Sequence, residues 1–263
     1  MLRFRNLASG SGGNATLIEA AGRGARTRRL LMDCGLSLRQ LQLRLQAAGT
    51  CTSELDAVFI THEHSDHRGC VLALALRERI PVWMSEGTWQ AMGAPEFDGL
   101  LRIARDGEPI DLGGLEARPF AVPHDAREPL HLRCSDGATH IGLLTDLGHV
   151  SDHVVAQLQG CHALLLEANH DPQLLDGGRY PAFLKRRIAG PLGHLPNHAS
   201  AELLRAVQHS GLRHVVAAHL SAHNNQPGLA QAALAGALAC GPQDIVVADQ
   251  RAGTPWIDAS RCH

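Results

Sequence analysis

Lysine is nearly missing from this chain of 263 residues: Lys185 stands alone among 24 basic side chains, and the rest are arginine. The formal net charge of −2 leaves no global basic field, which excludes attraction to nucleic acid or membrane by overall charge alone. No run of about 18 apolar residues exists to span a bilayer, and the start, MLRFRNLASGSGG, lacks the apolar core of a signal peptide. None of the 7 cysteines pairs as CxxC. An odd, dispersed set predicts reduced thiols and a cytoplasmic protein rather than a disulfide frame. Aromatic residues make up only 3 %, with a single tyrosine. Against these shortages stand 17 histidines, an excess that calls for an explanation at the level of a site.

Hydrophobic residues make up 44 % of the chain, enough for a sizeable core. Short apolar runs bounded by turn residues alternate with helical patterns. Strands are predicted at 2–7, 15–19, 28–33, 56–61, 115–124, 130–134, 140–146, 163–168, 214–221 and 244–249. Helices are predicted from the Ser37 cap to Ala48, over 66–79, 151–158 and 198–209, and near 227–239. Both hairpin-like and helix-crossover connections occur in each half. This predicts mixed sheets covered by helices, in layers, as a single domain over 1–263. Two basic clusters, Arg23/Arg26/Arg28/Arg29 and Lys185/Arg186/Arg187, are read first as solvated faces and second as phosphate contacts.

The histidines concentrate in THEHSDH, 61–67, where a buried strand gives way to a helix. Open α/β sheets bind ligands beyond the carboxyl ends of their strands. His62, His64, Asp66 and His67 are more than one tetrahedral ion needs, so the HxHxDH order favours a dinuclear site. Imidazole and carboxylate without thiolate suit zinc or manganese and admit iron. Other predicted strand ends add candidates: His124 in VPHD, Asp146 in LLTD and His219 in VVAAHLS. Asp146 is well suited to bridge two ions.

This pattern resembles the metallo-β-lactamase superfamily, an α/β fold built as a four-layer αββα sandwich with two mixed sheets. The resemblance implies one divalent ion on His62, His64 and His124, a second on Asp66, His67 and His219, and Asp146 between them. Asp33, in LLMDCG, matches an aspartate that supports the site without binding metal. ASGSGGN, LLMDCG, ITHEHSDH, VPHDA, TDLG, LLEANHD, LKRRIAGPLGHLPNHAS and AHLSAHNN, in this order, resemble the YycJ-like (WalJ-like) branch of that superfamily over nearly the whole chain. One departure is GHLPN, where GHLSN is expected; Pro196 spares His194.

That branch implies a DNA 5′-to-3′ exonuclease, with DNA favoured over RNA as substrate. The nuclease relatives share a glutamate and a histidine that match Glu167 and His194. As a pair, the carboxylate orients the imidazole and the imidazolium protonates a leaving alkoxide. Two ions would lower the pKa of a bound water from 15.7 toward about 7, supplying the hydroxide. Asp66, Glu167 and His194 are therefore the catalytic candidates. His170 is a supporting candidate, and His131 is read as structural. SGSGGN lacks a P-loop ending, and turn-only and substrate-lining readings of it stand even. Ser11, Asn14, Asn224 and Asn225 are candidate substrate contacts. One alternative is a small-molecule thioester or lactone hydrolase, which needs the metals without the Glu167–His194 pair. Another is a non-catalytic, metal-binding regulatory protein. The interval from Asp146 to His194 is too short for an inserted β-CASP domain.

Overall fold

The computed structural model describes residues 1–21 and 26–260; Arg23, Cys262 and His263 lie outside the described residues. One sheet contains β1 (Leu2–Ala8), β2 (Ala15–Ala20), β3 (Arg28–Met32), β4 (Ala57–Phe59), β5 (Val82–Met84) and β6 (Leu101–Ile103). The other contains β7 (Ile110–Asp111), β8 (Glu116–Ala121), β9 (Leu130–Ser135), β10 (His140–Leu144), β11 (Ala163–Glu167), β12 (His214–Ala218) and β13 (Val246–Val247). The last strand, β14 (Ile257–Asp258), returns to pair antiparallel with β1. Both sheets are mixed: antiparallel hairpins lead into β3–β6 in the first and β10–β13 in the second, which run parallel.

The period of two along each strand sorts side chains between layers. Leu30 and Met32 of β3 join the core between the sheets, while Leu31 faces the other way. Leu165 of β11 and Val216 of β12 meet the same central core, with Leu164, Leu166, Val215 and Ala217 on the opposite face. Fully burying each such side chain contributes roughly 1.5–3 kcal/mol, so strands apolar on both faces must be covered on both faces. Helix α1 (Leu38–Ala47) covers the first sheet; α2 (Ser65–Arg68), α3 (Val71–Glu78) and α4 (Glu86–Ala91) follow it in the chain. The second sheet is covered by α5 (Asp152–Leu158), α8 (Asn197–Val207) and α9 (Pro227–Leu238). Between α5 and α8 lie α6 (Pro172–Gly177) and the solvent-facing α7 (Ala182–Ile188). The result is the expected αββα sandwich.

One prediction needs correction. The continuous helix expected over 66–79 is broken into α2 and α3 at Gly69 and Cys70. The cause is a close backbone approach: a Cβ on Gly69 would stand 2.5 Å from the Cys34 carbonyl oxygen. Cys70 N donates to that same oxygen at 3.1 Å. Gly35 is tighter still, its missing Cβ overlapping the Asp66 carbonyl. The break thus seats the HxHxDH turn directly on the segment that follows β3. Several predicted strands are also shorter than expected: β4 has three residues, β8 stops before His124, β12 ends before His219, and β13 is a two-residue edge.

Candidate metal centre

The residues named from the sequence gather at the carboxyl ends of the parallel strands. His62 and His64 follow β4, Asp146 follows β10, Glu167 closes β11, and His219 follows β12. His124 joins them from the loop after β8. Asp33, Asp146 and His219 all adopt left-handed backbone, with φ of 60°, 51° and 55°. For residues with a Cβ this costs about 1–2 kcal/mol each, and such strain clusters at functional sites.

Two triads of ligand atoms emerge. His62, His64 and His124 form one, and Asp66, His67 and His219 form the other; within each, the atoms lie within 4.8 Å of one another. In the first, His62 Nε2 and His124 Nε2 face His64 Nδ1 at 3.0 and 3.4 Å. In the second, Asp66 Oδ2 stands 3.5 Å from His67 Nε2 and 3.8 Å from His219 Nε2. Asp146 lies between: its Oδ2 is 3.1 Å from His67 Nε2 and its Oδ1 is 3.9 Å from His124 Nε2.

For His62, His67, His124 and His219 the other ring nitrogen is already occupied, which fixes the orientation of those rings. Thr61 Oγ1 donates to Asp33 and pairs with His62 Nδ1 at 3.0 Å. Asp33 Oδ2 accepts from His67 Nδ1 at 2.8 Å, the Gly193 carbonyl from His124 Nδ1 at 3.1 Å, and Glu167 Oε1 from His219 Nδ1 at 3.1 Å. What remains fits divalent cations. Asp146 Oδ2 and His219 Nε2 are buried without a hydrogen-bond partner, Asp146 being close to His67 but not aligned for a bond. Imidazole nitrogens and carboxylate oxygens converging on one spot are the donor set of zinc, manganese or iron.

Electrostatics divide the triads. Burial, reinforced by the neighbouring His67, holds the His62 imidazole well below its ordinary pKa, and burial lowers His124 as well. Burial also opposes charge on His67, but Asp146 and Asp33 outweigh it and raise that pKa well above normal. His219 is raised to about 10 against burial, by Asp146, Asp66 and Glu167.

Glu167 is fully buried and does more than the sequence suggested. Its Oε1 accepts from His194 Nδ1 at 2.9 Å as well as from His219, while its Oε2 accepts from Leu147 N and Leu195 N. Burial pushes its pKa up, but the charges of His194 and its bonds to both imidazoles bring it down to about 2. Glu63, by contrast, turns away and accepts from Arg127 N.

Other named residues divide. Ser11 lines the cleft over the centre. Asn14 is buried, with its amide 3.2 Å from Asp66 Oδ2 and 3.0 Å from His67 Nε2, so it holds ligands rather than facing a substrate. Asn225 spends its side chain on Ala168 O, Asn197 and Gln226 N, and buried Asn224 bonds Ser221; both brace their own loop. At these three positions the side chains are engaged within the protein, whereas substrate contacts were expected there. His170 acts through its backbone, bridging Pro196 and accepting from Asn197 N behind the His194 loop. Pro196 there precedes α8, and its carbonyl accepts from Ser200 N. Buried His131, with neither ring nitrogen bonded, is held down to about 3 by burial.

On the opposite wall of the cleft, sequence reasoning named Arg187 only within a basic cluster and missed its apolar and aromatic neighbours. Tyr180, Leu184, Arg187 and Ile188 line it at helical spacing, and Arg187 Nε donates to Asp125 Oδ2 at 2.6 Å. Asp125 directly follows the candidate ligand His124 in VPHD, which was the available signal. The early arginine cluster is neutralised: Arg26 and Arg28 pair with Asp56, and Arg29 pairs with Glu19 and Glu54.

Residues 28–220 match the beta-lactamase superfamily domain. The chain belongs to that superfamily. It is 35 % identical over 234 residues to the exodeoxyribonuclease YycJ of Bacillus anthracis, covering 88 % of this chain and 86 % of that protein. It is 34 % identical over 242 residues to the exodeoxyribonuclease WalJ of Streptococcus pneumoniae, covering 90 % and 88 %. These matches put it in the YycJ-like branch, as the motifs implied, and make it a metal-dependent hydrolase. The metallo-beta-lactamase fold protein YhfI from Bacillus subtilis superposes with a TM-score of 0.73 over 98 % of this chain and 100 % of that one, at 14 % identity. That likeness speaks for the fold. Among the described residues no helix is long and apolar enough to cross a membrane.

Proposed function

We propose that this superfamily member is a dinuclear-metal phosphodiesterase acting on nucleic acid, as a DNA 5′-to-3′ exonuclease. The observation that carries the reading is the Glu167–His194 pair beside the ligand triads. His194 Nδ1 bonds the buried Glu167 carboxylate at 2.9 Å, and the ring lines the cleft. This leaves Nε2 as the atom that can give a proton to a leaving oxygen. Glu167 raises the pKa of His194 against the effect of burial, favouring the protonated form that a general acid requires.

His62, His64 and His124 would hold one ion, Asp66, His67 and His219 the other, and Asp146 would lie between. When bound, such ions supply Lewis acidity and a nucleophile at neutral pH. The chain's own contribution is orientation. Glu167 fixes the acid and the ligand His219 through one oxygen, so both stay in register. Among the described residues, Arg187 is the sole arginine or lysine lining the cleft and is well situated to meet a phosphate oxygen. The exodeoxyribonuclease names of the two relatives support DNA as substrate.

The test is hydrolysis of 5′- and 3′-labelled DNA and RNA with manganese or zinc, beside a thioester control. The reading expects stepwise release from the 5′ end of DNA, lost in His194→Ala. Thioester or lactone turnover that survives His194→Ala, with no cleavage of either nucleic acid, would sink it in favour of a small-molecule hydrolase. Metal binding with no turnover of any ester would leave a non-catalytic regulatory protein.

A further inference from the structure

A second group of cations stands outside the metal centre. Arg5 of β1, Arg44 of α1 and Arg251 after β13 line one cavity of about 480 Å³. Among the described residues, none of the three makes an ion pair, unlike Arg26, Arg28 and Arg29. Their internal bonds are few. Arg44 Nη1 donates to the carbonyls of Leu7 and Gln250, and Arg5 Nη1 donates to the carbonyl of Ala47. Arg5 Nε is buried without a partner, and the Arg251 side chain is exposed. An arginine carries five N–H donors, so most of the donors here are free for a ligand. Asp249 is the nearby carboxylate, and its Oδ1 is taken by Arg251 N and Ala252 N. Burial lowers the Arg44 pKa against the opposing charge of Asp249, which marks a cation held at some cost.

The cavity adjoins the cleft. Gln250, whose carbonyl Arg44 holds, packs so closely on the Gly10–Gly13 turn that a Cβ on Gly12 would collide with its amide. Ser11 of that same turn lines the metal cleft. One short turn therefore separates these three arginines from the reacting centre. Guanidinium groups bind phosphate oxygens through paired N–H donors.

We infer that the Arg5–Arg44–Arg251 cavity is a phosphate subsite, holding the backbone of the bound strand a few nucleotides from the bond that is cut. The inference rests on the proposed action on nucleic acid. It explains how a chain of net charge −2 grips a polyanion: by a local, dispersed cluster.

The test uses metal-loaded protein and fluorescence anisotropy with a phosphorothioate oligothymidylate, across a salt series. Arg251→Glu and Arg5→Ala are each compared with the parent chain. A single-strand phosphate contact contributes about 0.7 to the slope of log affinity against log salt. Each variant should bind the long strand more weakly, with Arg5→Ala losing about 0.7 of slope. A dinucleotide and bis(p-nitrophenyl) phosphate, too short to reach the cavity, should be bound or cleaved as by the parent. An unchanged slope in both variants overturns the subsite. Equal weakening toward inorganic phosphate and the long strand, with no dependence on length, makes it a free-phosphate site and also overturns the claim. If the parent cleaves no phosphodiester, the proposed function fails on that arm alone, and the slope comparison is still read.

Discussion

His62, His64 and His124 meet with no carboxylate among them, and burial holds two of the three below their ordinary pKa. Asp66, His67 and His219 meet around a carboxylate, with Asp33 and Glu167 behind the two rings, and both imidazoles are raised. Both triads belong to one centre, yet their surroundings are opposite. In the first, burial holds His62 and His124 toward the neutral form that a cation needs. The second exists without metal as an ion-paired network, so a cation must displace protons there. The comparison predicts two sites that fill by different chemistry, joined by Asp146.

The largest effect should come from the shared and charged members. Asp66→Ala should abolish phosphodiester cleavage while the far-ultraviolet circular dichroism and the cooperative melt persist, since Asp66 sits in the turn outside the three apolar cores. Full activity after metal reloading would refute its assignment as a ligand. His194→Ala should lower kcat on DNA by about 10²–10⁴-fold, the usual range for a general acid, with metal content unchanged. Glu167→Gln should do more, because it loosens His219 as well; loss of metal alongside kcat is the readout. Asp33→Asn should weaken the carboxylate-bearing site by about 10–100-fold, as loss of an orienting partner does, and weaken the all-histidine site less, because Asp33 reaches His62 only through Thr61 Oγ1. Competition with a chelator measures the two affinities.

The smallest effect concerns protons. In metal-free protein the folded pKa of His219 is raised to about 10, so its stabilising contribution is fully present below the unfolded value of about 6.5 and is lost as pH rises through about 10. Metal binding at the second triad near pH 7 should therefore release protons from His67 and His219, whereas His62 and His124 should release almost none. Calorimetric titration in two buffers of different ionisation enthalpy separates the steps.

Much of this centre was legible in the sequence because its residues fall where chain direction changes. HxHxDH is contiguous, and Asp33, Asp146 and His219 each come within two residues of a strand end. What was not legible depended on distance across the fold. Arg5, Arg44 and Arg251 share no local pattern and meet only because α1 and the turn after β13 both pack on β1. The double bond at Glu167 could not be read either, since β11 and β12 must first pair to bring His194 and His219 to one carboxylate. The burial and internal bonds of Asn14 and Asn225 were not legible either, because a polar side chain in a glycine-rich or histidine-rich loop looks available in sequence. The helix over 66–79 was overcalled because apolar periodicity continues through Gly69, and only the approach of Cys34 and Gly35 explains the break.

Ion stoichiometry tests the central claim most directly. Native mass spectrometry of the chain titrated with zinc or manganese should show two ions per chain, filled in two separable steps, with His64→Ala retaining one and cleavage appearing only with the second. Saturation at a single ion with full phosphodiesterase activity would contradict the account.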